Sequence, residues 1–213
     1  MAGLYRTGNE KKELEARNGA LQFLQVLAAL SEWRSDSSIT PQLLLDLQHR
    51  AIVNIYTCAG NFRDGPVEIR DGDKVAHRGV DAPLVQAAVE DMCNYINANW
   101  TSASAFHLSS YALWRLNWIH PFFGGNGRTS RAFSYLVLSA KLDMRLPGKV
   151  TIPDLIVKRR NEYIEALRAA DGAFASSQSI DLEKMEKLLE TVMADQLLSA
   201  IEQAKGKPLT PIS

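Results

Sequence analysis

The segment 120–131, with the sequence HPFFGGNGRTSR, concentrates residue types that handle phosphate anions. Its glycines allow positive φ angles and let backbone N–H groups approach an anion closely. Arg128 and Arg131 stand three residues apart, which places both side chains on one face of a helix. Two guanidinium groups at that spacing suit phosphate oxygens, because each can donate paired hydrogen bonds. The segment therefore predicts a polyphosphate-binding loop.

A candidate general base and a helix N-terminus flank the same glycines. His120 ends the preceding apolar helix, and its imidazole can take a proton near neutral pH. The next helix is predicted to begin near Asn126, so its free N–H groups and the positive end of its dipole point at the same place. The loop is neither a P-loop nor a Rossmann motif, because it lacks the lysine of GxxxxGK(S/T) and follows a helix rather than a strand. The alternative is a glycine-rich turn with solvated arginines and a structural histidine, and the complete set of residues favours the phosphate site.

Helical periodicity dominates the elements that must position this loop. Helices are predicted over residues 10–33, 41–57, 81–98, 104–119, 126–141, 153–170 and 181–205. The strand-like exception is a segment at about 60–78, where Val67 and Ile69 alternate with polar residues and Asp71-Gly72 is a hairpin turn signal. These patterns predict an all-α bundle with a short β-hairpin flap. Residues 173–179 read as a linker before the last helix.

Composition bounds the partners and the compartment. Lysine plus arginine equals aspartate plus glutamate at 24 each, so no bulk field favours nucleic acid or an anionic membrane. The first residues lack the apolar core of a signal peptide, and the apolar stretches are too short for a membrane span. Cys58 and Cys93 have no metal-ligand spacing and suit a reducing compartment. These features predict a cytoplasmic protein, with secretion by a signal-less route as the alternative.

The loop resembles the signature of the Fic (filamentation induced by cAMP, or Fido) family, HPFx(D/E)GNGRxxR. The matching positions are His120, Pro121, Phe122, Gly125, Asn126, Gly127, Arg128 and Arg131. The resemblance covers about residues 15–170 and includes Gly60-Asn-Phe-Arg63, which is similar to the family's GxYR before the flap, and Tyr163-Ile-Glu-Ala-Leu167 downstream. It implies a Fic-type domain over 1–172, with its core at about 81–170, followed by a linker and a packed C-terminal helix over 173–213.

The resemblance implies an adenylyltransferase that moves AMP from ATP to a Ser, Thr or Tyr hydroxyl of a target protein. His120 matches the general base, and Phe122 matches the residue that anchors the loop in the core. Asn126 and the backbone of residues 125–128, including Gly125 and Gly127, match the anion hole. The arginines match the contacts to the β-phosphate (Arg128) and the γ-phosphate (Arg131). The flap is expected to clamp the target protein by strand-like pairing, and Tyr163 is expected near the base or in the core.

Gly124 departs from the family pattern. The family has Asp or Glu at this position, and that carboxylate binds Mg²⁺, whereas glycine has no side-chain ligand. Three explanations are open: a weakened or altered transferase using another phosphate-containing donor or metal arrangement, a catalytically inactive nucleotide-binding regulator, or an engineered substitution. ATP is the expected substrate and Mg²⁺ the cofactor that the family implies.

Regulation and the remaining polar residues yield further predictions. Many family members carry an inhibitory (S/T)xxxE(G/N) helix, and Thr7-Gly-Asn-Glu10 is one residue short of it. We therefore expect no glutamate of this chain to contact Arg131, so that an inhibitory partner or another segment exerts control. His107 is expected to be a hydrogen-bonded core residue, and Lys158-Arg159-Arg160 a solvated helix face. The apolar stripe of the last helix predicts docking on the domain, with a homodimer or antitoxin contact as the alternative; its members are Leu182, Met185, Leu189 and Val192.

Overall fold

The structure, a computed structural model, describes residues 3–5 and 7–206, so the outer ends of the two predicted domains lie outside the described residues. Its α-helices are α1 (Gly8–Glu32), α2 (Pro41–Ile52), α3 (Val85–Ala98), α4 (Ala105–Ile119), α5 (Asn126–Lys141), α6 (Ile152–Lys158), α7 (Arg160–Ser177) and α8 (Glu183–Ala204). A two-stranded sheet pairs β1 (Glu68–Asp71) with β2 (Lys74–Arg78), and a short 3₁₀ helix (Ala82–Leu84) precedes α3. The predicted all-α bundle with a β-hairpin is confirmed.

Polar caps explain where several helices begin. The side-chain oxygens of Thr7, Thr40 and Ser104 each accept a hydrogen bond from a backbone N–H three residues later. Such a bond satisfies one of the free N–H groups of the first turn and contributes about 1 kcal/mol to helix stability. Pro41 follows Thr40 at the first turn of α2, where a missing N–H costs nothing.

The two helices that flank the glycine-rich loop form the centre of the bundle. Trp114 of α4 and Phe133 of α5 are 1% and 0% exposed, and α5 also packs against α1, α2 and α6. Ser109 and Ser134 bind each other's backbone reciprocally, with hydroxyl-to-carbonyl distances of 2.9 and 3.0 Å. Because both hydroxyls are satisfied, two small polar residues can lie in the core at no desolvation cost. The ends of the loop are therefore held by buried helices.

The hairpin is antiparallel and sits against the end of α4. Its register pairs Glu68 with Arg78 and Asp71 with Lys74, and an irregularity follows Ile69. The two-residue connection begins at Gly72, whose φ of 60° is accessible to glycine without strain. Beyond the hairpin, the Val80 N–H donates to the carbonyl of Ile119 at 3.2 Å. This bond ties the base of the flap to the start of the loop.

Two predicted boundaries are wrong for reasons of long-range packing. Helix α2 ends at Ile52 rather than near residue 57, because the chain turns extended at Val53 and the Leu4 N–H binds the carbonyl of Ile55 at 2.8 Å. The predicted helix over 153–170 is two helices that change direction at Arg159, where ψ is 40°.

The predicted linker over 173–179 is also wrong, because α7 remains helical to Ser177 and ends at Gln178 with a positive φ. Phe174 packs edge-on against Trp114 and Trp118 with ring centroids 5.5 and 5.4 Å apart. Burial of the Phe174 ring against two tryptophan rings stabilises the last turn of α7, which the polar residues of that turn do not favour by themselves.

The last helix docks on the domain as its apolar stripe predicts. Met185 and Leu189 are 0% exposed in a cluster with residues of α4 and α6. Polar contacts fix the register: His107 binds the hydroxyl of Tyr95 at 3.0 Å and a carboxylate oxygen of Glu186 at 2.8 Å. His107 is thus hydrogen-bonded as the sequence predicts, but its side chain is 27% exposed rather than in the core. Over the described residues, none of the helices combines the length and the apolar character needed to cross a membrane.

Candidate phosphate-binding site

His120 ends α4 in the left-handed conformation, with φ of 51° and ψ of 59°. Its N–H still closes the last helical turn by donating to the carbonyl of Leu116 at 3.0 Å. A left-handed residue after a helix reverses the chain, and a non-glycine residue adopts this conformation only when its surroundings hold it there. The reversal places the histidine ring at the rim of a cavity and the following residues across the end of α4.

Arg63 provides much of the force that holds this reversal. Its side chain is 2% exposed and donates only to backbone carbonyls. The acceptors are His120 at 2.7 Å, Gly65 at 2.8 Å, Ile119 at 3.3 Å, and Val80. A buried cation that satisfies several carbonyls is stable where it lies, and its loss leaves each of those carbonyls without a partner. Arg63 is therefore a positioning residue that joins the flap base to His120.

Phe122 and Asn126 close the loop on itself. The Asn126 amide donates to the carbonyl of Phe122 at 2.7 Å and accepts from its N–H at 3.1 Å, and the side chain is 4% exposed. Phe122 is fully buried and stacks on Phe62 with centroids 5.6 Å apart, as expected for the loop anchor. Because the Asn126 side chain is occupied in closing the loop, the N-terminal backbone of α5 is the part of this turn left for an anion.

Two glycines of the loop are required for different reasons. Gly125 has φ of 81°, and an added Cβ would lie 2.8 Å from Cγ2 of Ile52. A Cβ at Gly127 would lie 3.2 Å from Nη1 of Arg131, so the guanidinium passes directly over this part of the backbone. The first glycine permits the turn, and the second permits an arginine to lie close to the helix N-terminus.

The two motif arginines have different surroundings. Arg128 donates to the carbonyl of Ala51 at 2.9 Å and lies 3.5 Å from a carboxylate oxygen of Glu15 on α1. Arg131 makes no ion pair within residues 3–5 and 7–206. A carboxylate from α1 does reach the loop, but it reaches the first arginine. Of the two motif arginines, Arg131 is the one whose charge is available to a ligand.

A cavity of about 540 Å³ brings part of the candidate set together, but Arg128 is not in its lining. Three residues of the loop line it, His120, Gly127 and Arg131, and the flap contributes Ile69 and His77. Its opposite wall is α7, with Arg160, Tyr163 and Leu167. The Tyr163 hydroxyl accepts a hydrogen bond from the amide of Asn117 at 2.8 Å. The volume suits a nucleotide-sized ligand between the flap and α7.

The His120 ring is prepared to accept a proton. Burial is the main cause that lowers the pKa of His120 to about 4; the backbone of Asn117 opposes the shift, and His77 and Arg63 make smaller contributions that lower it. Its Nδ1 atom is buried without a hydrogen-bond partner. Desolvation disfavours the charged imidazolium, so the ring is neutral at physiological pH. A neutral imidazole is the form that can act as a general base.

The residues around Gly124 do not fit a magnesium ion. The Gly124 carbonyl accepts from the amide of Gln48 at 3.1 Å, while the other end of that amide accepts from the Gly60 N–H at 2.6 Å. Mg²⁺ is held in proteins by carboxylates together with water and phosphate. In the part of the chain that the structure describes, no group of three or more His, Cys, Asp or Glu side chains could hold a metal ion.

Several contributors to the site have no predicted role. Arg63, Gln48 and Glu15 act through partners far along the chain, 57 residues away for the Arg63 bond to His120 and 76 for the Gln48 bond to Gly124. Arg63 belongs to the Gly60-Asn-Phe-Arg63 segment that resembles the family's GxYR, but no local pattern marks Gln48 or Glu15. The residues of the predicted solvated face at 158–160 have different surroundings. Arg159 pairs with Asp195 at 3.0 Å, and Arg160 lines the cavity.

Comparisons with known proteins agree with this geometry. Residues 38–138 match the Fic/DOC family, and no curated protein matches the chain. A Fic family protein from Desulfovibrio desulfuricans G20 superposes with a TM-score of 0.69 and 22% identity over 97% of this chain and 58% of its own. A Fic domain containing signaling protein from Bacteroides thetaiotaomicron gives 0.74 and 17% over 97% and 78%.

A third solved structure carries a nucleotide. The N-terminal Fic domain of a cell filamentation protein from Bartonella quintana, with bound ADP, gives a TM-score of 0.60 and 18% identity over 90% of this chain and 89% of its own. The chain thus spans somewhat more than half of the Desulfovibrio protein and nearly all of the Bartonella domain. The matched region contains the flap, the reversal at His120 and the loop with its helix, so residues 38–138 of this chain form a Fic/DOC-type domain.

Proposed function

We propose that this chain transfers AMP from ATP to a Ser, Thr or Tyr hydroxyl of a target protein. The observation that carries the proposal is the cavity in which His120, Arg131 and the N-terminal backbone of α5 meet. A neutral base and a phosphate-binding helix terminus within one cavity are the components that nucleotidyl transfer requires. The Bartonella quintana domain with bound ADP supports a nucleotide as the ligand.

The positions of these groups support the following reaction. The target hydroxyl gives its proton to the His120 ring, and its oxygen forms a bond to the α-phosphorus. The bond between that phosphorus and the bridging oxygen breaks, and pyrophosphate leaves with the electron pair. The free N–H groups at the start of α5 and the Arg131 guanidinium stabilise the negative charge on the phosphates. The exposed flap, at 68–78, presents backbone to the target protein.

Gly124 determines how fast the natural chain can work. Its position has no carboxylate, so the residues that neutralise charge are cationic side chains and backbone N–H groups alone. We therefore expect the chain to be a weak transferase. A Gly124→Asp variant supplies the carboxylate of the family pattern and raises the rate by about two orders of magnitude, the scale on which single electrostatic contacts act.

The test is transfer from ATP labelled at the α-phosphate to proteins of a lysate. Three proteins are compared: the natural chain, Gly124→Asp, and Gly124→Asp combined with His120→Ala. We expect strong labelling by the single variant and loss of labelling in the double variant. If Gly124→Asp labels no protein, including itself, AMP transfer is the wrong chemistry.

The glycine at position 124 also favours a second candidate function, a nucleotide-binding regulator that does not catalyse transfer. This candidate predicts that calorimetry detects ATP binding to the natural chain while labelling stays at background. It also predicts that His120→Ala leaves ATP affinity unchanged. Detectable labelling by the natural chain that depends on His120 would exclude it.

A further inference from the structure

Arg160 faces the loop from the opposite wall of the cavity. It is the first residue of α7 and lines the cavity together with His120, Gly127 and Arg131. Its side chain is exposed, and it takes part in no ion pair or hydrogen bond within residues 3–5 and 7–206. It shares its cavity with Arg131, which makes no ion pair with any residue that the structure describes. The pair therefore concentrates positive charge at one place.

We propose that Arg160 and Arg131 together neutralise the terminal phosphates of the nucleotide, so that this chain binds a nucleoside triphosphate without a divalent metal. The inference rests on the proposed function, because it assigns charge partners within the same site. It adds Arg160, a residue outside the glycine-rich loop, to the nucleotide contacts. It also identifies positive charge that can replace the metal ion for which Gly124 offers no carboxylate.

The uncompensated charges of the two arginines indicate a binding site for an anion. Burial lowers the pKa of the Arg131 guanidinium, and the positive charges of Arg128 and Arg160 lower it further, whereas the Asp154 carboxylate opposes the effect. Arg128 is compensated by Glu15, but no carboxylate pairs with Arg131 or Arg160 among the described residues. Like charges held near each other cost energy, and an anion bound between them removes that cost.

The acidic residues of the cavity are already engaged. Glu68 pairs with Arg70 at 2.9 Å and Arg78 at 3.3 Å, both on the flap. Asp171 accepts from the indole N–H of Trp114 at 2.9 Å and lies 4.0 Å from Nδ1 of His77. Neither carboxylate is therefore available to the phosphates or to a metal ion bridging them. Besides these two carboxylates, the charged residues that line the cavity are Arg70, Arg131, Arg160 and Arg168.

Two guanidinium groups can take the place of one divalent ion in charge. A magnesium ion carries two positive charges to the phosphates, and so do Arg131 and Arg160 together, each through directional hydrogen bonds that suit phosphate oxygens. Metal-free ATP carries more negative charge than its magnesium complex. A site built from arginines therefore prefers the metal-free nucleotide, whereas a site with a metal-binding carboxylate prefers the complex.

The experiment measures ATP, ADP and AMP affinities by calorimetry, in EDTA and in excess Mg²⁺. The proteins are the natural chain, Arg160→Gln, Arg160→Lys and a control, Lys158→Gln. Lys158 is an exposed cation two residues away that does not line the cavity, so its variant removes the same charge from the surface. The natural chain is expected to bind ATP at least as tightly in EDTA as in Mg²⁺.

Arg160→Gln is expected to weaken ATP binding about tenfold, the scale of one hydrogen bond to a charged group, and to leave AMP binding nearly unchanged. Arg160→Lys is expected to retain part of the affinity, because the charge remains while the paired geometry is lost. The proposal is overturned if Arg160→Gln behaves as Lys158→Gln does, or if ATP binds only with Mg²⁺. Failure of the proposed function is distinct, since it appears as absent labelling by Gly124→Asp even when ATP binds.

Discussion

At the scale of single residues, His120 combines a strained backbone with an unpaired, buried ring nitrogen. The motif predicts that a histidine ends the helix before the glycines, and it predicts a base near neutral pH. It cannot predict that burial, with smaller contributions from the neighbouring Arg63 and His77, lowers the pKa to about 4. Those neighbours come from the flap and its base, and only the folded chain brings them to the ring.

The low pKa of His120 can be measured directly. In an NMR titration the imidazole is expected to stay neutral down to about pH 4, because burial disfavours its charged form. The unfolded chain binds a proton near pH 6.5 and the folded chain does not, so the free energy of unfolding should fall as the pH drops from about 6.5 to 4. His120→Ala should flatten that slope. A titration midpoint near 6.5 in the folded protein would contradict the prediction.

Asn126 shows a second limit of residue-level prediction. Its place in the motif implies a contact to the anion, whereas its side chain closes the loop on Phe122. The sequence specifies the residue type, but an amide can satisfy either partner equally well. In the structure the amide nitrogen and oxygen of Asn126 both bind the backbone of Phe122, and its contact to an anion stays a prediction.

Gly125 and Gly172 provide a matched pair of glycine substitutions. Gly125→Ala is expected to lower the free energy of unfolding by about 1–3 kcal/mol, because φ is 81° and the new methyl group would meet Ile52. Gly172 lies within helix α7 with no atom within 4 Å of an added Cβ, so Gly172→Ala should stabilise the chain by about 0.5–1 kcal/mol. Chemical denaturation measures both changes. Equal effects of the two variants would contradict the account of the loop.

At the scale of elements, the periodic spacing of apolar residues predicts where the helices and the hairpin occur better than it predicts where they end. Local signals such as Thr40-Pro41 mark the start of α2 correctly, since a cap acts on its own first turn. The end of α2 depends on Leu4, and the length of α7 depends on Phe174 packing against two tryptophans. These partners are remote in sequence, so no local pattern contains them.

The hairpin is fastened to the bundle by one side chain of β2. Nε2 of His77 donates to the carbonyl of Trp118 at 2.7 Å, and its other nitrogen faces Asp171. His77→Ala removes this bond, so hydrogen exchange of the amides over residues 68–78 should accelerate while exchange in α5 stays unchanged. Val75→Ala, an exposed change on the same strand, is the control. Equal exchange rates in both variants would show that the flap is held by its base alone.

At the scale of the whole molecule, the last helix completes the wall that carries Arg160. α8 packs against α4, α6 and α7, and the amide of Gln196 bridges two of the preceding segments. It accepts from the Ile152 N–H at 2.8 Å and donates to the carbonyl of Pro147 at 2.9 Å. The apolar stripe predicts that the helix docks, because its side chains need a buried partner. The polar bridge that sets its register has no signature in sequence.

Docking of α8 is therefore expected to contribute to the stability of the entire domain. Met185→Ala should lower the free energy of unfolding by about 2–5 kcal/mol, because the fully buried side chain leaves a cavity between α8 and the core. Leu198→Ala, on the same helix but 60% exposed, should change it by less than about 0.5 kcal/mol. One cooperative transition for Met185→Ala, with a lower midpoint, would indicate that α8 and the loop-bearing helices unfold together. A separate early transition that spares the Trp114 signal would instead show that α8 is an independent appendage.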